Sequence, residues 1–133
     1  MKVLAIIGSP RKKYSYDMLK ILENELKQIN SFIEFRYAFL IEYNLKYCLG
    51  CSQCKENEEK CPLKDDSIKI KREMEESDLL IFNSPVYSGN VSGLFKNFCD
   101  RFHYLHFRPI FYSKKAMWLT VTSLNGTEIT SKY

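Results

Sequence analysis

No stretch of this 133-residue chain runs to 18 consecutive apolar residues, so the sequence offers no helix able to span a membrane. The opening Met1-Lys2-Val3-Leu4-Ala5-Ile6-Ile7-Gly8 is too short for a secretory signal and runs straight into a turn. Charge of one sign is scarce as well: 20 Lys and Arg against 16 Asp and Glu leave +4. The basic residues are spread out, apart from the short run Arg11-Lys12-Lys13. A nucleic-acid binder shows a basic stripe on a recognisable module, and neither is present. There is no internal repeat, low-complexity tract or linker, and the length suits one domain. With 45% apolar and 27% charged residues, the composition excludes a disordered tail, a collagen-like chain and a coiled coil. The expectation is a soluble, cytoplasmic protein, one domain over residues 1–133, with neither nucleic acid nor membrane as partner.

What is there alternates between two periodicities. Lys2 to Ile7 is a continuous apolar run ended by Gly8-Ser9-Pro10, the pattern of a strand buried on both faces. From Tyr16 to Ile29, Met18, Leu22, Leu26 and Ile29 recur at helical spacing beside Leu19, with Ser15 as N-cap. Phe32 to Phe39 alternates, Ile33, Phe35, Tyr37 and Phe39 against Glu34 and Arg36, which predicts a strand at a sheet edge. Residues 42–64 read as loop. Asp65 or Asp66 caps a helix running through Glu76, with a thin stripe of Ile68, Ile70 and Met74. Leu79 to Phe82 is a third buried strand, stopped by Pro85, and Ser88-Gly89-Asn90 turns the chain. Leu94, Phe95, Phe98 and Phe102 mark a third helix, and Ala116 to Thr122 a fourth strand after a connection over 107–114. Alternating strands and helices predict an α/β fold: a parallel sheet with helices on both faces. Ligands in such sheets bind beyond the carboxyl ends of the strands, which directs attention to the loops after Ile7, Phe82 and Val121.

The first of these loops, Gly8 to Tyr16, feeds a helix. Free N–H groups, hydroxyls and Arg11 there would suit a phosphate monoester, although it is neither a Walker A loop nor a GxGxxG turn, and an ordinary polar turn reads the same way. Five cysteines are many for a reducing compartment, and four fall within the 14 residues from Cys48 to Cys61. Their pattern, Cys48-x2-Cys51-x2-Cys54-x6-Cys61-Pro62, lets three thiolates converge while a fourth closes the set, as in ferredoxin runs. A tetrahedral zinc site and plain loop residues remain alternatives. Cys99 reads as a buried small hydrophobe, Asp100 and Arg101 as a structural pair at a helix end, and His103 and His106 as packing or surface residues. No Ser-His-Asp set, carboxylate pair or nucleophilic cysteine is required, so no catalytic side chain is expected.

Two segments carry a resemblance. Gly8-Ser9-Pro10-Arg11 behind a strand, and Ser84-Pro85-Val86-Tyr87-Ser88-Gly89-Asn90 leading to a helix that ends Asp100-Arg101-Phe102, resemble the signatures of the flavodoxin-like NAD(P)H-dependent FMN reductases. Cys48-Leu49-Gly50-Cys51-Ser52-Gln53-Cys54, then Cys61 and Asp65-Asp66, is similar to their iron–sulfur flavoprotein branch. The resemblance implies a flavodoxin-like doubly wound sheet with four strands in order 2-1-3-4, the family's fifth strand missing. It implies FMN phosphate ligands at Ser9, Arg11, Ser15 and Tyr16 and ring contacts from Pro85, Val86, Tyr87, Ser88, Gly89 and Asn90. It places a third flavin loop at Ser123, Asn125 and Gly126, and a [4Fe–4S] cluster on Cys48, Cys51, Cys54 and Cys61. The implied function is a flavin oxidoreductase passing electrons between a one-electron carrier and a two-electron acceptor, with a ferredoxin-like protein or NAD(P)H as donor. A cluster-free NAD(P)H-dependent FMN or quinone reductase, and a non-enzymatic remnant acting as an interaction module, are the competing readings. An apolar fourth strand left at the sheet edge would favour a homo-oligomer.

Overall fold

The computed structural model describes residues 1–122. Its strands are β1 (Lys2–Ile7), β2 (Glu34–Phe39), β3 (Leu79–Tyr87), β4 (Asn90–Val91) and β5 (Lys115–Val121), and its helices α1 (Tyr14–Ile29), α2 (Ser67–Glu75) and α3 (Gly93–Arg101). β1 pairs in parallel with β2 on one side and β3 on the other, and β3 pairs in parallel with β5. The four long strands therefore stand in the order β2-β1-β3-β5, the expected 2-1-3-4 arrangement. β4 is a two-residue antiparallel return on the far end of β3. Among the described residues no helix is long and apolar enough to cross a membrane.

The continuous apolar run of β1 has its physical reason in the layers around it. Val3, Ala5 and Ile7 face one core with Leu19 of α1, while Leu4 and Ile6 face the other with Ile70 and Met74 of α2 and Phe95 and Phe98 of α3. Each fully buried Ile or Leu here contributes about 2 kcal/mol. One helix covers one face and two cover the other, which makes the sheet doubly wound. β2 alternates as expected: Phe35, Tyr37 and Phe39 join the α1 core.

Several expectations need correction. α1 buries Ser15, Leu19 and Glu23, with Leu22 and Leu26 partly covered, while Met18 and Ile29 are exposed. Its phase is set by Glu23, a charged residue that the apolar count passed over. Ser15 is not the N-cap: Lys13 holds that position, and Ser15 lies inside the first turn. In α2, Ile70 and Met74 are buried and Ile68 points outward. Residues 42–64 are loop apart from single 3-10 turns at Gln53–Lys55 and Glu58–Lys60, with another at Leu40–Glu42.

Pro85 does not stop β3, which runs on to Tyr87. Asn83 directs its carbonyl to the β1 side, where Gly8 N–H donates to it. Pro85, two residues on, faces the same side beyond the last β1 pairing, Ile7 with Asn83. A missing N–H costs nothing where no neighbouring strand needs it.

Candidate functional site

β1 and β3 end side by side, and the Gly8 N–H donates to the Asn83 carbonyl at 2.8 Å. Ser92 clasps the two following loops. Its hydroxyl donates to the Gly8 carbonyl at 2.6 Å and accepts from the Phe95 N–H at 3.1 Å, capping α3. Its own N–H donates to Ser84 Oγ at 3.0 Å. Gly8 admits no side chain there, because a Cβ would stand 2.6 Å from Phe95 Cβ. The loops after β1 and β3 are thus brought together at the carboxyl ends of the strands, where open α/β sheets bind ligands. Ser92 was missed as a site residue in the sequence, although Ser before a helical apolar run is a capping signal.

In the first loop the buried Ser9 hydroxyl donates to the Arg11 carbonyl at 2.8 Å and accepts from the Arg11 N–H at 3.3 Å, leaving the Arg11 side chain exposed. Lys12 is held by Glu42 at 3.0 Å and lies over the Phe39 ring. The N–H groups of Tyr16 and Asp17 return to the Lys13 carbonyl at 2.7 and 3.0 Å. The Tyr16 ring packs on Tyr37 and Phe39, with centroids 5.3 and 5.5 Å away. Ser9 and Arg11 therefore stand beside the α1 N-terminus, a donor set whose chemistry fits a phosphate monoester. Ser15 and Tyr16 sit deeper, against the core.

In the second loop Tyr87 pairs with Asn90 across a two-residue turn in which Ser88 has φ 51° and Gly89 φ 74°. Both central residues are left-handed, as hairpins of this length prefer. Pro85 is buried, Val86 half-buried, and Tyr87, Ser88 and Asn90 exposed. Asn83 beneath them donates to the Leu119 carbonyl at 3.2 Å, while its buried Oδ1 has no partner among the described residues. Val121 stands in register with Pro85. Ser123, Asn125 and Gly126 lie outside the described residues.

The cysteine loop is fixed at its base. The Asn44 N–H donates to Asp66 Oδ2 at 2.7 Å, the Lys46 N–H to Asp65 Oδ2 at 2.9 Å, and Asn97 Nδ2 of α3 to the Leu45 carbonyl at 3.0 Å. Cys48, Cys51, Cys54 and Cys61 are all free thiols, the first two exposed and the others half-buried. All four line a single small cavity of about 20 Å³, together with Pro62, Asp100 and Arg101. Burial and the neighbouring Cys61 push the Cys54 thiol up. Four unpaired sulfurs on one cavity fit an iron–sulfur cluster in donor type. They do not form a closed ligand shell: among the described residues no group of three or more His, Cys, Asp or Glu is placed to hold a metal ion.

Asp100 and Arg101 do not pair with each other. Asp100 takes Lys96 one turn back. Arg101 reaches across to Asp65, Nη2 to Oδ1 at 2.9 Å and Nε to Oδ2 at 3.1 Å, a pair with side chains only 4% and 0% exposed. Burial alone would raise the Asp65 carboxyl, but hydrogen bonds from Arg101, Ser67 and the Lys46 N–H hold it below its ordinary value. Cys99 is half-buried against the α3 core, and burial pushes its thiol up to about 11. His103 and His106 stack on each other.

Comparison with known proteins bears on the same residues. The family model for NADPH-dependent FMN reductase matches residues 1–132. An iron-sulfur flavoprotein of Archaeoglobus fulgidus is 38% identical over 101 residues, 76% of this chain and 48% of the relative. Another from Methanocaldococcus jannaschii is 41% identical over 102 residues, 76% of this chain and 51% of the relative. The chain spans about half the length of the curated relatives it matches. Among solved structures, an azoreductase from Bacillus anthracis superposes with a TM-score of 0.74 at 14% identity, covering all of this chain and 77% of its own, a likeness of fold. With the family model matched from the first strand through the last described one, the chain belongs to the NADPH-dependent FMN reductase family.

Proposed function

We propose that the chain is an FMN-binding oxidoreductase of the iron–sulfur flavoprotein kind, exchanging electrons between a one-electron carrier and a two-electron acceptor. The observation that carries this reading is the clasp of Ser92 on Gly8 and Ser84, which brings two loops of the expected flavin-binding type to one end of the sheet. Ser9, Arg11 and the α1 N-terminus hold the phosphate, with Ser15 and Tyr16 shaping the floor of that loop. Pro85, Val86, Tyr87, Ser88, Gly89 and Asn90 face the ring, Tyr87 as a flat wall and the Ser88-Gly89 turn as a source of N–H groups near its polar edge. Ser123, Asn125 and Gly126 are proposed to complete the site. The flavin supplies the redox chemistry, and the chain orients it and places donors where negative charge develops.

Cys48, Cys51, Cys54 and Cys61 are proposed as ligands of a [4Fe–4S] cluster, supported by their shared cavity and by the name that the relatives carry. A cluster supplies one-electron steps, and the electron donor is then a ferredoxin-like protein or NAD(P)H. The competing reading, a cluster-free NAD(P)H-dependent FMN or quinone reductase, draws on the absence of a chelating group among the described residues. Anaerobic purification separates the two. A bound cluster gives a broad absorption that bleaches with dithionite and about four irons per chain, and Cys54→Ser or Cys61→Ser removes the iron while sparing FMN binding. Flavin without iron transfers the assignment to the cluster-free reading, and variants with unchanged iron overturn these cysteines as the ligands.

Among the described residues β5 pairs only with β3, and its Met117 and Trp118 border an open groove of about 740 Å³ with Phe82, Phe95 and Phe111. A homo-oligomer covering this edge is the proposed assembly. Light scattering at micromolar concentration reads a dimer or larger, and a monomer contradicts it.

A further inference from the structure

Resting on the cluster reading above, the geometry points to Arg101 as the positioning residue for Cys61 and the donor that sets the cluster's reduction potential, through an N–H···S bond held in place by the buried Asp65 carboxylate. Arg101 Nη1 lies 3.3 Å from Cys61 Sγ, within the range of an N–H···S hydrogen bond. Three of the four other N–H donors of the guanidinium are committed: Nε and Nη2 to the two Asp65 oxygens, and Nη2 also to Ser67 Oγ at 3.2 Å. One planar fork therefore spans a carboxylate, a hydroxyl and a thiol, which a lysine ammonium on its single stem does not.

Asp65 in turn accepts from the Lys46 N–H, two residues before Cys48, so the pair ties the first cysteine's approach to the last cysteine's side chain. A buried ion pair is a weak stability device, because its desolvation roughly cancels its attraction. Here its direction is what distinguishes it. The carboxylate lies behind the guanidinium, and the positive end of the pair faces Cys61. Hydrogen bonds to the ligand sulfurs and positive potential both favour the more negative, reduced cluster, so the pair raises the potential without adding net charge.

The sequence concealed this arrangement. Arg101 stands next to Asp100, and its true partner lies 36 positions away.

The test is the midpoint potential of the reconstituted cluster, followed by EPR during a dye-mediated titration, in wild type, Arg101→Lys and the double variant D65N/R101Q. Removing Arg101 alone strands Asp65 and endangers folding. The double variant keeps the site neutral, and Arg101→Lys keeps its charge. Both are expected to keep FMN, which binds at the other loops, and in their iron-loaded fraction to shift the midpoint to more negative values, about 59 mV for each tenfold loss of preference for the reduced form. An unchanged midpoint in iron-loaded D65N/R101Q overturns the inference and leaves the cluster reading standing. A lower iron content with an unchanged midpoint also overturns it, showing that the pair only closes the loop. A wild-type protein that takes up no iron overturns the cluster reading and this inference together.

Discussion

Ser92 joins more of the candidate site than any other single side chain. It caps α3, holds the Gly8 carbonyl and meets Ser84 through its own N–H. Ser92→Ala removes the cap, worth about 1 kcal/mol, and leaves the buried Gly8 carbonyl without its donor, worth about 1–3 kcal/mol. Urea denaturation should show a loss of about 2–4 kcal/mol in sum. FMN affinity should fall with it, because the loops lose their shared anchor. A variant as stable as wild type would show that the clasp is incidental. The capping role was legible in the sequence, since Ser92 directly precedes Gly93, Leu94 and Phe95. The contact with Gly8 was not, because it joins positions 84 residues apart.

At the scale of elements, α1 and β2 are joined by a charged network inside an otherwise apolar layer. Glu23 accepts from Lys20 at 2.7 Å, Lys27 at 2.6 Å and the Tyr37 hydroxyl at 2.5 Å. Burial works to raise its carboxyl, yet these bonds outweigh it and hold the group at about 2, against an ordinary 4.5. A carboxyl depressed in the folded state contributes stability that is fully present above its ordinary value and lost as pH falls toward the folded one. Stability should therefore decline between about pH 5 and pH 2, by on the order of 2 kcal/mol after allowing for solvent screening at the half-exposed lysines. Glu23→Gln should flatten that decline in denaturation midpoints measured across the range. An equal slope in both proteins would contradict the assignment. Glu23 also explains why the helix was read slightly out of phase: counting apolar positions favoured Met18 and Ile29, whereas the buried face is built on Leu19 and a neutralised charge.

At the scale of the molecule, most of the architecture was legible because β1 and β3 are continuous apolar runs and β2 alternates. Both patterns report directly on which faces a strand buries. The run through Pro85 was not legible, because a proline's effect depends on whether a neighbouring strand meets it, and only the sheet's register decides that. The cysteine loop was legible as a cluster of ligand types. Its base, built from Asp65, Asp66, Asn97 and Arg101, was not, because these contacts join separate elements. The whole is a doubly wound sheet that gathers two loops at the ends of β1 and β3 and hangs a four-cysteine loop from α3.

Whether the gathered loops hold FMN is read out by titrating the apoprotein with FMN and following flavin fluorescence. The expected result is a fluorescence change that saturates at about one FMN per chain, weakened in Arg11→Ala by loss of a charge-assisted phosphate contact. Fluorescence that stays that of free FMN at every protein concentration would contradict it.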